Sequence, residues 1–207
     1  MKRGYINKKE DKRVILASES PSRENILKSS GIDFISMPSG VNEEEIKEVF
    51  KGSPKELALA LAEAKSTSVS KIIRSALVIG ADQVLSFKEK PFSKPRSLKQ
   101  AKENLLLFKG KTHTLESATT IAYDGKIVWR HQDSPSLTMR KFSNKFLNLY
   151  IKKAGKNTLL SSGGYSIEKE GSQLFSKIEG EFFSIIGLPL LPLLEKLRKL
   201  KAKGVGE

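Results

Sequence analysis

Apolar and polar residues alternate along this chain in blocks that predict a mixed α/β order. Val14-Ile15-Leu16-Ala17 is an unbroken apolar run of strand length, interrupted at Ser18-Glu19-Ser20-Pro21. Arg23 to Ser30 then reads as a short helix closed by Gly31, and Asp33 to Met37 alternates as a half-buried strand should. Ser53-Pro54-Lys55-Glu56 is a capping box with Pro at the first helical position, opening a helix over Leu57 to Lys71. Leu77 to Ala81 is a second buried strand, expected to deliver Asp82 at its C-terminal end.

A second capping box, Ser97-Leu98-Lys99-Gln100, starts a helix that runs to Phe108 and stops at Lys109-Gly110. Thr112 to Tyr123 and Lys126 to His131 flank Asp124-Gly125, a hairpin signal, and Ser136 to Arg140 adds a strand. Ser143 caps a helix to Ala154 that Gly155 closes. Leu190, Leu193, Leu194 and Leu197 give Leu190 to Lys201 one apolar helical face opposite Lys and Arg. No repeat, low-complexity tract or linker divides the chain. The predicted class is α/β with a mixed sheet.

Composition narrows the chemistry. The 207 residues contain no cysteine and two histidines, which excludes disulfide scaffolds, thiolate zinc sites, Cys nucleophiles and His-rich metal sites. No apolar run reaches the ~18 residues of a membrane span, and the charged N-terminus has no apolar core behind it. A soluble, cytoplasmic protein without a membrane partner is expected. The net charge is +14. Met1 to Arg13 holds six basic and two acidic residues, and Lys196 to Glu207 five basic and one acidic, so each end carries +4. Such ends often serve only as solubilising tails, so the charge by itself selects no partner.

Three segments could carry chemistry. Ser18, Ser20 and Arg23 lie between a strand and a helix, where helix N–H groups and a guanidinium suit a phosphate; a plain cap at Ser20 is the structural alternative. Asp82 follows a buried strand, where α/β proteins place ligands, and could hold Mg²⁺ or orient water. Ser162-Gly163-Gly164-Tyr165-Ser166-Ile167-Glu168 allows close ligand approach or makes a tight turn. Glu43-Glu44-Glu45 reads as a solvated run, Lys65 as an exposed helix residue, Lys94 as an exposed loop residue and His113 as a strand histidine with a local hydrogen bond. The chain lacks the motifs of P-loop ATPases, usual dinucleotide oxidoreductases, zincins and α/β-hydrolases.

The ordered set of blocks resembles the Maf nucleotide pyrophosphatases. It comprises Val14-Ile15-Leu16-Ala17-Ser18-x-Ser20-Pro21-x-Arg23, Val78-Ile79-Gly80-Ala81-Asp82, Lys94-Pro95, Gly110-Lys111-Thr112-His113, Gly163-Gly164-Tyr165, Ile178-Glu179-Gly180 and Gly187-Leu188-Pro189-Leu190. The resemblance covers residues 13 to 200. It implies one elongated domain over 13–203, with a mixed central sheet, flanking helices and two lobes around a cleft, behind a basic extension over 1–12. It also implies a house-cleaning hydrolase of nucleotide metabolism that cuts the α–β phosphoanhydride of a nucleoside triphosphate with Mg²⁺ or Mn²⁺. On this chain it makes Asp82 and Glu43 the metal-linked carboxylates, with Glu44 the alternative register for the second. Lys65 and Lys94 neutralise the triphosphate, Lys65 within the catalytic group, and Ser18, Ser20 and Arg23 take phosphate. Related proteins are often dimers.

Several positions depart from the family pattern. Ser22 stands where a second Arg is common, Lys111 where Arg is usual, Ser117-Ala118 where Thr-Gly is usual, and Lys169-Glu170 where Gly-Leu is usual. With Ser22 in place of that Arg one cation is lost, and weaker phosphate binding is expected. Gln83 after Asp82 and Glu168 in the Gly-Gly-Tyr segment resemble the subgroup acting on 7-methyl-GTP rather than on dTTP and UTP, which implies that both bind substrate. A Glu acceptor there suits the donors of a guanine edge. The rival class is a non-catalytic nucleic-acid or septum-associated binding protein, but aromatics are only 7% and no RNP-like alternation occurs, so nucleic acid is not the expected partner.

Overall fold

In the computed structural model, which describes residues 11–206, the first apolar run forms strand β1 (Arg13–Ala17), buried from Val14 onward. Strands β2 (Ile35–Met37) and β3 (Ala76–Phe87) run parallel to it on either side. Helix α1 (Pro21–Ser29) connects β1 to β2, while α2 (Glu43–Val49) and α3 (Pro54–Ile72) connect β2 to β3. The sheet then turns antiparallel. Strand β5 (Thr112–Tyr123) pairs with β3 over ten positions, β4 (Lys90–Phe92) folds back on β3, and β6 (Lys126–Asp133) returns along β5 through the Asp124-Gly125 turn. Strands β7 (Ser136–Met139) and β8 (Phe175–Glu179) complete the order β2-β1-β3-β5-β7-β8. Helices α4 (Leu98–Phe108), α5 (Asn144–Ala154), α6 (Phe182–Ile186) and α7 (Leu190–Lys199) pack around this mixed sheet.

Strand alternation sends the residues of β3 to two layers. Ala76, Val78 and Val84 face α3, with Val69 beside the first pair and Leu57, Ala58, Leu61 and Ala62 beside the last. The opposite face carries two apolar clusters. Leu77, Ile79 and Ala81 pack with α1 and α7, and Leu85 and Phe87 with α4 and α5. Gln83 lies between them and donates to the Ser184 and Ile185 carbonyls of α6, at 2.7 and 3.2 Å.

Helix α3 lies very close to β3. A Cβ on Gly80 would stand 2.3 Å from the Ala62 carbonyl oxygen and 2.6 Å from the Ser66 amide, so only glycine permits this approach. Thr120, opposite Gly80 on β5, bonds Ser66 at 2.7 Å and Ala62 at 3.0 Å. The capping box at the start of α3 is complete: Ser53 and Glu56 bond each other's backbone N–H groups. Helix and strand are therefore fixed in register, one residue from Lys65.

Several expectations need correction. Asp82 is not at the end of its strand, because the long β5 partner extends β3 to Phe87. It does lie beyond the parallel part, whose pairing with β1 ends at Ile79. Strand β2 spans only Ile35–Met37 at the sheet edge, with Ile35 and Ser36 exposed rather than half-buried in alternation. The acidic run is the first turn of α2, and α7 stops at Lys199. Most of the expected basic extension, residues 1–10, falls outside the described residues, while Lys12 pairs with Ala202. No helix among the described residues is long and apolar enough to cross a membrane.

Candidate active site

Lys65 is the centre of the site. It projects from α3 beside Asp82 and is only 5% exposed, against the sequence reading of an open helix position. Its Nζ lies 2.6 Å from Oδ1 of Asp82 and 2.6 Å from Oε1 of Glu43. One buried ammonium thus joins a carboxylate of β3 to one of α2. Asn42 accepts the Glu45 amide to cap α2, which presents Glu43 in the first turn. Glu44 turns instead to Lys47, 2.8 Å away, so the carboxylate brought to Lys65 is that of Glu43.

Electrostatics hold the group together. Burial works to raise the Glu43 carboxyl, but the charges and hydrogen bonds of Lys65 and Lys47 outweigh it and hold it below the ordinary carboxylate range. Arg23 is lowered by burial, while the charges of Asp82 and Glu43 oppose that fall. Its Nε donates to the Gly187 carbonyl at 2.9 Å, which orients the guanidinium from the first turn of α1.

The N-terminus of α1 lies on the same side. Ser20 occupies the N-cap, but its side chain caps nothing, and Pro21 follows at N1. The first-turn amides therefore keep their donor capacity toward an external acceptor. Ser18 Oγ accepts the Ser20 amide at 3.1 Å and fixes the loop. Together these groups offer cations and helix donors to anionic oxygens, beside carboxylates suited to a hard cation.

The profile of the Maf family, described as "Maf-like protein", matches residues 13–200. The chain belongs to the Maf family. A 7-methyl-GTP pyrophosphatase of Mesorhizobium japonicum is 44% identical over 92% of this chain and 97% of its own. Proteins called nucleoside triphosphate pyrophosphatase are 44% identical in Rhodospirillum rubrum, over 89% of this chain and 93% of theirs, and 45% identical in Caulobacter vibrioides, over 89% and 94%.

On this Maf chain, Asp82, Glu43, Lys65 and Arg23 are drawn together, with Ser18 and Ser20 at the adjoining helix terminus. Lys94 and Glu168 are exposed, and among the described residues neither makes a hydrogen bond or ion pair with that group. The amide nitrogen of Gln83 is committed to α6. Lys111 donates to the Leu107 carbonyl at 2.8 Å, at the end of α4. The histidine expectation is corrected too: the partner of His113 is not local but the Tyr165 hydroxyl, 2.6 Å away and 52 residues on. Two contributors escaped the sequence reading. Lys47 stands 3.4 Å from Glu43, and its signal was the i,i+4 spacing behind the Asn42 cap. The Gly187 carbonyl orients Arg23, and nothing in the local sequence marks that pairing.

Proposed function

We propose that this Maf protein hydrolyses the α–β phosphoanhydride of a nucleoside triphosphate, with 7-methyl-GTP as the preferred substrate, releasing monophosphate and pyrophosphate. The observation that carries the reading is Lys65 shared between Asp82 and Glu43 beside the uncapped α1 terminus. Phosphoryl chemistry asks a protein for positioning and charge neutralisation, and this arrangement supplies both. The names of the similar proteins support the same reaction class.

The residues suit a hard divalent cation such as Mg²⁺. Asp82 and Glu43 offer carboxylate oxygens, and no group of three or more His, Cys, Asp or Glu that could hold a metal occurs among the described residues. Mg²⁺ is commonly held by one or two carboxylates, with phosphate oxygens and water completing its shell. Asp82 and Glu43 would hold it, and it would offset the charge of the phosphates and make the attacking water more acidic. Lys65 binds Oδ1 of Asp82 and leaves Oδ2 to receive the proton of the water that attacks the α-phosphorus. The bond from that phosphorus to the bridging oxygen then breaks. Arg23, Ser18, Ser20 and the α1 amides bind phosphate oxygens, and Lys94 joins them from its exposed loop as the substrate arrives.

Substrate preference rests on Glu168, an acceptor for the N1–H and 2-amino donors of guanine that also favours a positively charged methylated base. Gln83 acts through α6 instead. Pyrophosphate release from 7-methyl-GTP, GTP, dTTP and UTP, with and without EDTA, tests the proposal. Release should be greatest from 7-methyl-GTP and be lost with EDTA. Glu168→Gln should move the preference toward UTP and dTTP.

A further inference from the structure

The two basic ends, separate in sequence, meet in the fold. Lys12 donates its amide to the Lys201 carbonyl at 2.9 Å, and Lys203 donates to the Lys12 carbonyl at 2.8 Å. This bridge sets the start of β1 beside the end of α7. It gathers Lys12, Arg13, Lys196, Arg198, Lys199, Lys201 and Lys203 on adjoining segments, where the neighbouring carboxylates are Asp11, Asp33 and Glu195. Only Lys199 has an ion-pair partner among the described residues, Glu195 at 2.5 Å. Lys12 lies over the Tyr123 ring. Seven cations against three carboxylates leave an excess of positive charge that favours an external polyanion.

From these contacts we infer that the joined ends form a docking surface for the phosphate backbone of nucleic acid, separate from the catalytic group. Location supports the separation. The surface is at the N-terminal end of β1, whereas Ser18 follows its C-terminal end, roughly 13 Å away along the strand. Extent supports a polymer over a single phosphate: the cations run from the last turn of α7 through Lys201 and Lys203 to Lys12 at β1, and a DNA strand offers one phosphate about every 3.4 Å. A membrane surface fits less well, since α7 buries Leu190, Leu193 and Leu197 in the core and its exposed Leu191 is at the far end from these cations. The expectation that nucleic acid is not a partner rested on few aromatics and no RNP-like alternation, features of base stacking that do not bear on contacts to the phosphate backbone.

Fluorescence anisotropy with a short labelled DNA duplex, between roughly 50 and 200 mM salt, tests this. The full chain should bind with a steep salt dependence. R198Q/K201Q/K203Q removes three exposed cations, leaves the N-terminal ones in place, and should flatten the log–log slope by about 2.7. Nucleotide turnover, measured on the same preparations, should be unchanged, which verifies folding and keeps this test apart from the catalytic proposal. The inference is overturned if the duplex fails to bind at the low-salt end, if the triple variant keeps the parental slope, or if the chain binds phosphatidylserine vesicles and not DNA.

Discussion

The Lys65 ammonium stands 2.6 Å from Oδ1 of Asp82, a pair made entirely inside the protein, with the two side chains 7% and 9% exposed. Such a pair is costly to break from one side, because the remaining charge stays buried. Lys65→Met leaves Asp82 and Glu43 without their shared cation. The variant should lose roughly 3 kcal/mol of stability at neutral pH, the low end for a buried pair because Glu43 is partly exposed. Urea unfolding measures this. Part of the loss should return on acidification, as the Glu43 carboxyl, no longer held low by Lys65, takes up a proton.

Gly80 supports that pair from below. Gly80→Ala places a methyl group against the Ala62 carbonyl and the Ser66 amide, and α3 must move. Overpacking of this kind costs about 1–3 kcal/mol. Because Lys65 adjoins Ser66, turnover should fall with stability. Parallel urea and activity measurements check whether the two decline together.

His113 makes stability depend on pH. Its Nδ1 has no hydrogen-bond partner, and burial lowers the imidazole to about 4 from an ordinary 6.5. Between those values the unfolded chain binds a proton that the native state refuses. The contribution is therefore complete above pH 6.5 and is lost progressively as pH falls to about 4, by roughly 3 kcal/mol in all. Unfolding midpoints of the parent and His113→Gln should diverge with this pH dependence. A parallel course would contradict it.

Gln83 separates two roles. Gln83→Leu leaves the Ser184 and Ile185 carbonyls without their donor and should cost about 1–3 kcal/mol. If Gln83 acts through α6, the variant should lose stability while its preference among triphosphates stays the same. Melting curves and relative kcat/KM values for 7-methyl-GTP and UTP report the two effects.

What could be read in the sequence was whatever local physics decides. The run Val14–Ala17, the box at Ser53–Glu56 and the Asp124-Gly125 turn each state their structure within a few residues. Asp82 was misplaced because the apolar run ends at Ala81, whereas the strand continues on the strength of pairing with β5, supplied from about thirty-five residues further on. The acidic run hid α2 because its value lies in a contact with Lys65, 22 positions from Glu43. Gln83 looked like a ligand residue; its partners are over a hundred residues away. The charged ends were counted correctly, but only the Lys12 bridge shows that they meet.

The most direct test of the central claim is pyrophosphate release from 7-methyl-GTP in Mg²⁺, with wild type and Asp82→Asn compared side by side. The wild type should release pyrophosphate steadily, and the variant, its fold intact by circular dichroism, should lose about 10²–10⁴-fold. Equal release by both proteins, or none by the wild type from 7-methyl-GTP, GTP, dTTP or UTP, would contradict it.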